Sequence, residues 1–177
     1  MKFSTRDMAM MALFAALIAV GAFIKIPLPT VPLTLQLLFV MVAADVMGST
    51  KATVSTVLYV IMGLLGLPIF AAGGGFWYVL KPSFGFFLGF IIAAWAIGTL
   101  VKRGMNMILA NFTGLLIVYL LGTVYCWAVL TFYTKDIQGL PHLLLLCIVM
   151  PLPGDIAKCL LAAFAGKKLK KLNLVST

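Results

Sequence analysis

Charged side chains are scarce in this sequence. Only 10% of its 177 residues are charged, and Asp and Glu together number four. A soluble domain carries about 25% charged residues, so a soluble globular domain is excluded. With 64% hydrophobic residues and a mean hydropathy of +1.19, the sequence predicts an integral membrane protein. No polar stretch is long enough for a second folded unit, so we expect one transmembrane domain over 1–177.

Cysteine and histidine are also sparse. Cys126, Cys147 and Cys159 lie singly in apolar runs, a spacing that indicates neither a metal site nor a disulfide framework. The one histidine, His142, follows a proline and is interpreted as an interface residue. No G-x-x-x-x-G-K-[ST] motif occurs, so the chain does not bind ATP through a Walker loop. These shortages argue against an enzyme, and we expect no cofactor and no metal.

Long apolar runs dominate instead and predict an all-α polytopic membrane protein. A span needs about 20 apolar residues, with a range of about 17 to 25. The N-terminal run resembles a signal peptide, but the chain after it is itself apolar, so we interpret this run as the first span. The segment 142–150 is too short to span and is either an interfacial piece or the end of a helix broken at Pro151 and Pro153. Six segments predict transmembrane helices: 7–24, 33–49, 52–67, 83–101, 106–133 and 154–172.

The net charge of +9 is distributed as in a membrane protein, in short gaps between apolar runs and in the tail, rather than as in a nucleic-acid-binding protein. Cytoplasmic loops carry an excess of Lys and Arg. With six spans and a cytoplasmic N-terminus, the outside holds only Lys25, Lys81 and Lys135. Both termini are therefore predicted to be cytoplasmic. The inside group is Lys2, Arg6, Lys51, Lys102, Arg103, Lys167, Lys168, Lys170 and Lys171.

Asp155 and Lys158 form the most unusual polar pair in the sequence. A charge at bilayer depth costs about 2.5 to 3.5 kcal/mol, and side chains at i and i+3 share a helix face. In this topology the pair lies at the outer end of the last span, on the same side as the loops 25–33 and 67–83. Two interpretations stay open: Asp155 caps the helix while Lys158 neutralises it, or the pair binds a polar ligand.

The third loop, "LPIFAAGGGFWYVLKPS", supplies further candidates for a binding site. Gly74 and Gly75 permit a close backbone approach. Trp77 and Tyr78 either stack on a flat ligand or lie at the membrane interface. Lys81 either attracts a carboxylate or is simply an outside-loop charge.

Neutral polar residues inside the predicted spans are the remaining candidates. Gln36 begins the second span and either bridges helices or contacts a ligand. Asn111 and Tyr119 share one face of the fifth span with Gly122. This face predicts a side turned into the bundle, with ligand contact and helix packing as equal alternatives.

Three motifs together resemble the BioY family: "VPLTLQ", "GLLGLP-F" and "PGD--K", in this order. BioY proteins are the biotin-binding S components of energy-coupling factor (ECF) transporters. The resemblance implies six transmembrane helices and a biotin pocket near the outer face, under the first and third loops, with Asp155 and Lys158 in it. It also implies a transmembrane T component and two cytoplasmic ATPase subunits as partners. Small residues of the first helix would contact the T component, here Ala12, Ala15, Ala16 and Ala19.

The leading hypothesis is a subunit of the cell membrane that captures biotin as a transported substrate, with the Asp155–Lys158 pair at its ureido end. The alternative is a stand-alone, ion-coupled transporter of biotin or another small carboxylate, with Asp155 or Asp45 as the proton carrier. Uptake without any ATPase partner, collapsed by an uncoupler, would favour the alternative.

Overall fold

The protein is a bundle of apolar helices with two small loop structures at one end. The computed structural model describes residues 3–28, 31–134 and 139–171; Lys2, Lys135 and the end of the predicted sixth span lie outside them. These described ranges form seven α-helices and a two-stranded antiparallel hairpin. They are α1 Thr5–Phe23, β1 Lys25–Ile26, β2 Leu33–Thr34, α2 Gln36–Met47, α3 Ser49–Leu64, α4 Phe84–Lys102, α5 Met107–Ala128, α6 Leu140–Leu144 and α7 Leu152–Lys171.

Within the described residues, four apolar helical stretches have the length to cross a membrane: Thr5–Phe23, Phe84–Lys102, Met107–Thr134 and Pro141–Lys171. They overlap the predicted first, fourth, fifth and sixth spans, with ends that differ by one or more residues. The predicted second and third spans correspond to α2, with 12 residues, and α3, with 16 residues. At 1.5 Å per residue these two helices are shorter than a hydrocarbon core of about 30 Å. The all-α membrane fold is thus confirmed, whereas the count of six spans is not.

The segment before α7 is also helical and forms the first part of the stretch Pro141–Lys171. α6 passes into a π-helical turn over Leu145–Val149, and a turn at Pro151 precedes α7. Of the two alternatives for 142–150, the structure shows the helix that ends at a proline. Pro153 was wrongly predicted to break this helix as well. It lies in the first turn of α7, where a proline removes no intrahelical hydrogen bond.

Glycines bring the helices α4 and α5 close together. A Cβ on Gly89 would lie 2.9 Å from the Cα of Val118, and one on Gly85 would lie 2.2 Å from the Cβ of Tyr125. The Gly85-x-x-x-Gly89 spacing therefore does allow a close helix crossing. Because α5 also packs against α7, this crossing helps to set the position of the two helices that carry Tyr119, Asp155 and Lys158.

Replacing Gly89 by valine is expected to destabilise the protein by about 3 kcal/mol, since the backbone at Val118 cannot move aside as a side chain can. Thermal unfolding in detergent would measure the loss. Leu88→Val is the matched control, because Leu88 lies on the same helix and is 38% exposed. Equal midpoints for the two variants would contradict the packing argument.

The β1–β2 hairpin and the third loop lie at the end of the bundle where α2, α4 and α7 begin. The hairpin pairs Lys25 with Thr34, and the N–H of Leu35 donates to the carbonyl of Gly21. The third loop turns back on itself through paired Phe70 and Gly73 and then forms a short 3₁₀ helix, Phe76–Leu80. Both loops therefore cover the same end of the bundle.

Candidate functional site

A cavity of about 50 Å³ lies between the hairpin, the third loop, the first turns of α2, α4 and α7, and the middle of α5. Its polar wall includes Gln36, Tyr119, Asp155 and Lys158. The cavity is thus at the end of the bundle where the sequence placed the first loop, the third loop and the charge pair.

Asp155 and Lys158 form a buried ion pair in this wall. The Nζ of Lys158 donates to the Oδ1 of Asp155 at 2.6 Å, and the hydroxyl of Tyr119 donates to the other carboxylate oxygen at 2.7 Å. Asp155 and Lys158 are each only 5% exposed. A buried ion pair is seldom retained for stability alone, because desolvation offsets its attraction. Both side chains line the cavity, so the pair borders the space that a polar ligand would occupy.

The helix-capping interpretation of Asp155 is not what the structure shows. The backbone N–H of Asp155 already donates to the carbonyl of Pro151 at 3.0 Å, so this residue is inside the helix. The described hydrogen bonds of its carboxylate go to two side chains, Lys158 and Tyr119. The other part of that interpretation, neutralisation of the Asp155 carboxylate by Lys158, agrees with the ion pair in the structure.

Gln36 forms a second polar part of the wall. It is 2% exposed, and its Oε1 accepts the hydroxyl of Thr34 at 2.9 Å. Its Nε2 donates to the hydroxyl of Tyr59, on α3. Gln36 therefore bridges helices, one of the two roles that the sequence left as alternatives. It also lines the cavity, and ligand contact by Gln36 stays a prediction.

Aromatic rings form the apolar side of the cavity. Tyr78 is buried and stacks on Phe87, with ring centroids 5.7 Å apart and an angle of 20° between the planes. Phe86 and Phe90 of α4 continue this wall. Burial raises the pKa of the Tyr78 phenol, so the ring stays neutral at physiological pH. A ligand with one flat polar end and one apolar body would fit such a surface.

The sequence pattern that describes the BioY family matches residues 1–174. The chain belongs to the BioY family. It is 39% identical over 174 residues to a probable biotin transporter BioY of Lysinibacillus sphaericus, a match that covers 96% of this chain and 89% of that protein. It is 36% identical over 173 residues to the biotin transporter BioY of Thermotoga maritima, covering 96% and 98%.

A solved structure also resembles this member of the BioY family. It is the crystal structure of the S-component for biotin from an ECF-type ABC transporter, at a TM-score of 0.72 and 26% sequence identity. The match covers 96% of this chain and 95% of that chain. The bundle described here is therefore an S-component fold.

Several residues that the sequence suggested for the site lie outside the cavity of this BioY chain. Trp77 is 79% exposed, so it lies at the protein surface. Gly75 has φ of 101° and donates its N–H to the carbonyl of Gly63, while Gly74 packs against the backbone of Leu67. These two glycines shape the third loop.

Lys81 also acts on the third loop. Its Nζ donates to the carbonyl of Ala72 at 3.0 Å and lies 4.8 Å from the centre of the Tyr78 ring. Lys81 thus contacts the back of a cavity residue, and its role toward a carboxylate stays a prediction.

Asn111 shares the buried face of α5 with Tyr119, as the sequence predicted, but lies at another depth. Eight residues of helix separate the two by about 12 Å. The Nδ2 of Asn111 donates to the Oδ2 of Asp45 at 3.0 Å and to the carbonyl of Cys159 at 3.3 Å. Asn111 therefore ties α5 to α2 and α7 below the cavity, and ligand contact by Asn111 stays a prediction that this geometry does not favour.

Sequence reasoning missed the hairpin threonine and the phenylalanines of α4. Thr34, Phe86, Phe87 and Phe90 all line the cavity. Phe86 and Phe90 lie four residues apart and so share a helix face, beside the glycines that turn α4 toward α5. That spacing was the signal that could have placed them in the site.

The described residues contain no group of three His, Cys, Asp or Glu side chains that could hold a metal ion. Cys126 and Cys147, which lie singly in the sequence, come together with their sulfurs 3.6 Å apart and are both fully buried. The polar side chains that line the cavity are those of Thr34, Gln36, Tyr78, Ser83, Tyr119, Asp155 and Lys158.

Proposed function

We propose that this protein is the substrate-binding S subunit of an ECF-type ABC transporter and captures biotin from outside the cell for uptake. The observation that carries the proposal is the buried Asp155–Lys158 pair, which faces an aromatic-lined cavity at the loop end of a BioY-family bundle. The named relatives and the similar solved structure support biotin as the ligand. The chain is accordingly a transport component and not an enzyme.

The chemistry of biotin matches the cavity part by part. Its ureido ring offers two N–H donors and a carbonyl, and the rest of the ring system is apolar. The carboxylate of Asp155 accepts N–H donors, and the ammonium of Lys158 donates to a carbonyl. Phe87 and Tyr78 supply the apolar contact. We infer that the ureido end lies at the ion pair and the carboxylate end points toward the loops, where Lys81 is the nearest predicted partner.

Binding requires the covering loops to move outward. Small-molecule pockets have volumes of about 300 to 1,000 Å³, whereas this cavity has about 50 Å³. The helical part of the wall is fixed by close packing at Gly85 and Gly89. The hairpin and the third loop are therefore the parts that open.

We infer that a transmembrane T component and two cytoplasmic ATPase subunits energise transport. On α1, Ala12 and Ala16 are exposed, Ala19 is half-buried and Ala15 is buried in the core. The Ala12–Ala16 face is thus open to a partner helix, and Ala15 supports the fold instead. The charge distribution supports cytoplasmic termini in the cell membrane. Biotin is the cargo of this assembly, and the proposal includes no cofactor.

Calorimetric titration of biotin into the purified protein in detergent tests the proposal. Tight one-to-one binding without any partner is expected. Desthiobiotin, which keeps the ureido group, should bind more weakly than biotin but better than an unrelated vitamin. No biotin binding to a folded sample depleted of endogenous ligand would overturn the assignment of the ligand.

A further inference from the structure

A chain of hydrogen bonds runs from the hairpin to the third loop beneath the cavity. The hydroxyl of Thr34 donates to the Oε1 of Gln36 at 2.9 Å, and the Nε2 of Gln36 donates to the hydroxyl of Tyr59. The hydroxyl of Tyr59 then donates to the carbonyl of Ile69 at 3.2 Å. All three donors point in one direction, an arrangement in which each bond polarises the next. We call Thr34, Gln36, Tyr59 and the Ile69 carbonyl the relay.

The relay connects both loops that cover the cavity. Thr34 belongs to the hairpin, and Ile69 belongs to the third loop. Thr34 and Gln36 line the cavity, whereas Tyr59 does not line it and is fully buried. Tyr59 can therefore affect a ligand only through its neighbours.

Other side chains also hold this part of the third loop, but from the surface. Lys25 donates to the carbonyl of Ala71, and Lys81 donates to the carbonyl of Ala72. Both lysines are exposed, and exposed charged groups contribute little to holding a structure. Of these three donors, Tyr59 is the one that is buried and joined to the cavity wall.

From these contacts we propose that Tyr59 is a positioning residue that couples Gln36 in the cavity wall to the third loop, so that the two covering loops open together and release of the ligand is slow. This inference rests on the proposed function, because it concerns the same cavity. Opening of the third loop breaks the bond to Ile69 and leaves buried polar groups without a partner. The bonds at Gln36 and Thr34 weaken with it.

Tyr59→Phe isolates the hydrogen bonds from the packing. The ring of Tyr59 contacts Phe70, at a centroid distance of 5.5 Å, and Phe87, at 5.9 Å. Both contacts remain in the variant, so it is expected to fold. The loss of the hydroxyl removes the bonds to Gln36 and Ile69 alone.

The matched control is Tyr125→Phe. The hydroxyl of Tyr125 donates to the carbonyl of Val79, in the 3₁₀ helix that ends the third loop, at 2.6 Å. It is the same kind of bond to the same loop, yet Tyr125 has no described hydrogen bond to Gln36. A role of Tyr59 in general loop stability would thus be reproduced by Tyr125.

The first readout is the rate of biotin dissociation, measured by displacement of labelled biotin. Tyr59→Phe is expected to raise it about tenfold, the effect of losing a bond with buried partners left unsatisfied, with a much smaller change in the association rate. Tyr125→Phe should leave it within about twofold of the wild type. An unchanged rate in Tyr59→Phe, or an equal rise in both variants, would overturn the proposal.

The second readout is hydrogen exchange of the ligand-free protein, and it does not depend on which ligand the protein binds. Tyr59→Phe is expected to speed exchange at Phe70 in the third loop and also at Leu35 beside the hairpin. Tyr125→Phe should not affect Leu35. Faster exchange at Phe70 alone would overturn the coupling. If the wild type binds no biotin, the proposed function fails, and this measurement still decides whether the relay exists.

Discussion

Replacing Lys158 by alanine is expected to weaken biotin binding by about 100-fold or more, since truncating one member of a buried, hydrogen-bonded charge pair costs about 2 to 5 kcal/mol. Two effects combine in this variant. The ligand loses an ammonium donor, and the carboxylate of Asp155 loses its 2.6 Å partner. Calorimetric titration against the wild type measures the change. Asp155→Asn should weaken binding as well, because the amide has no negative charge and places an NH₂ donor where the carboxylate has its second acceptor oxygen.

A double variant separates recognition from stability. Asp155→Asn combined with Lys158→Met keeps the volume of both side chains and removes both charges, so no unpaired buried charge remains. It is expected to unfold at a temperature close to that of the wild type and yet to bind biotin poorly. Lys102→Ala serves as a control for the loss of a positive charge, because Lys102 is exposed in the last turn of α4 and lies outside the cavity. Normal binding by the folded double variant would mean that the pair is structural.

Replacing both Ala12 and Ala16 by tryptophan is expected to abolish co-purification with the T component and the ATPase subunits while biotin binding stays normal. Small residues four apart allow two helices to approach closely, and two indole rings would hold a partner helix away. Both alanines are exposed, so the rings would extend from the outer surface of α1. Co-expression with a tagged T component, followed by affinity purification, measures assembly.

Leu120→Trp is the matched control for this assembly experiment. Leu120 is 66% exposed on α5, so its variant also adds an indole ring to the outer surface of the bundle. It should co-purify with the partners as the wild type does. Undiminished assembly of the Ala12→Trp/Ala16→Trp variant would show that the partner binds another face.

The sequence was most informative where spacing along one helix decides the geometry. Asp155 and Lys158 lie three residues apart, and any helix would bring them together. Tyr119 was assigned to the buried face of α5 by the same periodicity. Spacing does not predict which residues of neighbouring helices lie at the same depth in the bundle, since that depends on how the helices are offset. That is why Asn111, on the same face as Tyr119, meets Asp45 rather than the cavity.

Loops were the least predictable part of the site. Gly74, Gly75 and Trp77 were assigned to ligand contact because of their residue types, but the backbone path of the third loop turns Trp77 outward. The path depends on long-range contacts, such as the ring of Phe70 packed where Gly63 lacks a side chain. Periodicity says nothing about such contacts. The predicted second span, 33–49, is shortened at both ends: Leu33–Thr34 forms β2, and the turn at Gly48, with φ of 78°, ends α2.

The two polar links between α5 and α7 constrain how these helices can move. Tyr119 bonds to the side chain of Asp155, and Asn111 bonds to the backbone carbonyl of Cys159. These attachments lie at different heights along the same pair of helices. A single attachment would act as a pivot, but two of them resist both sliding and rotation. Displacement of Asp155 by a bound ligand would therefore move α5 and α7 as one rigid body. At the far end of this body, Asn111 contacts Asp45 of α2.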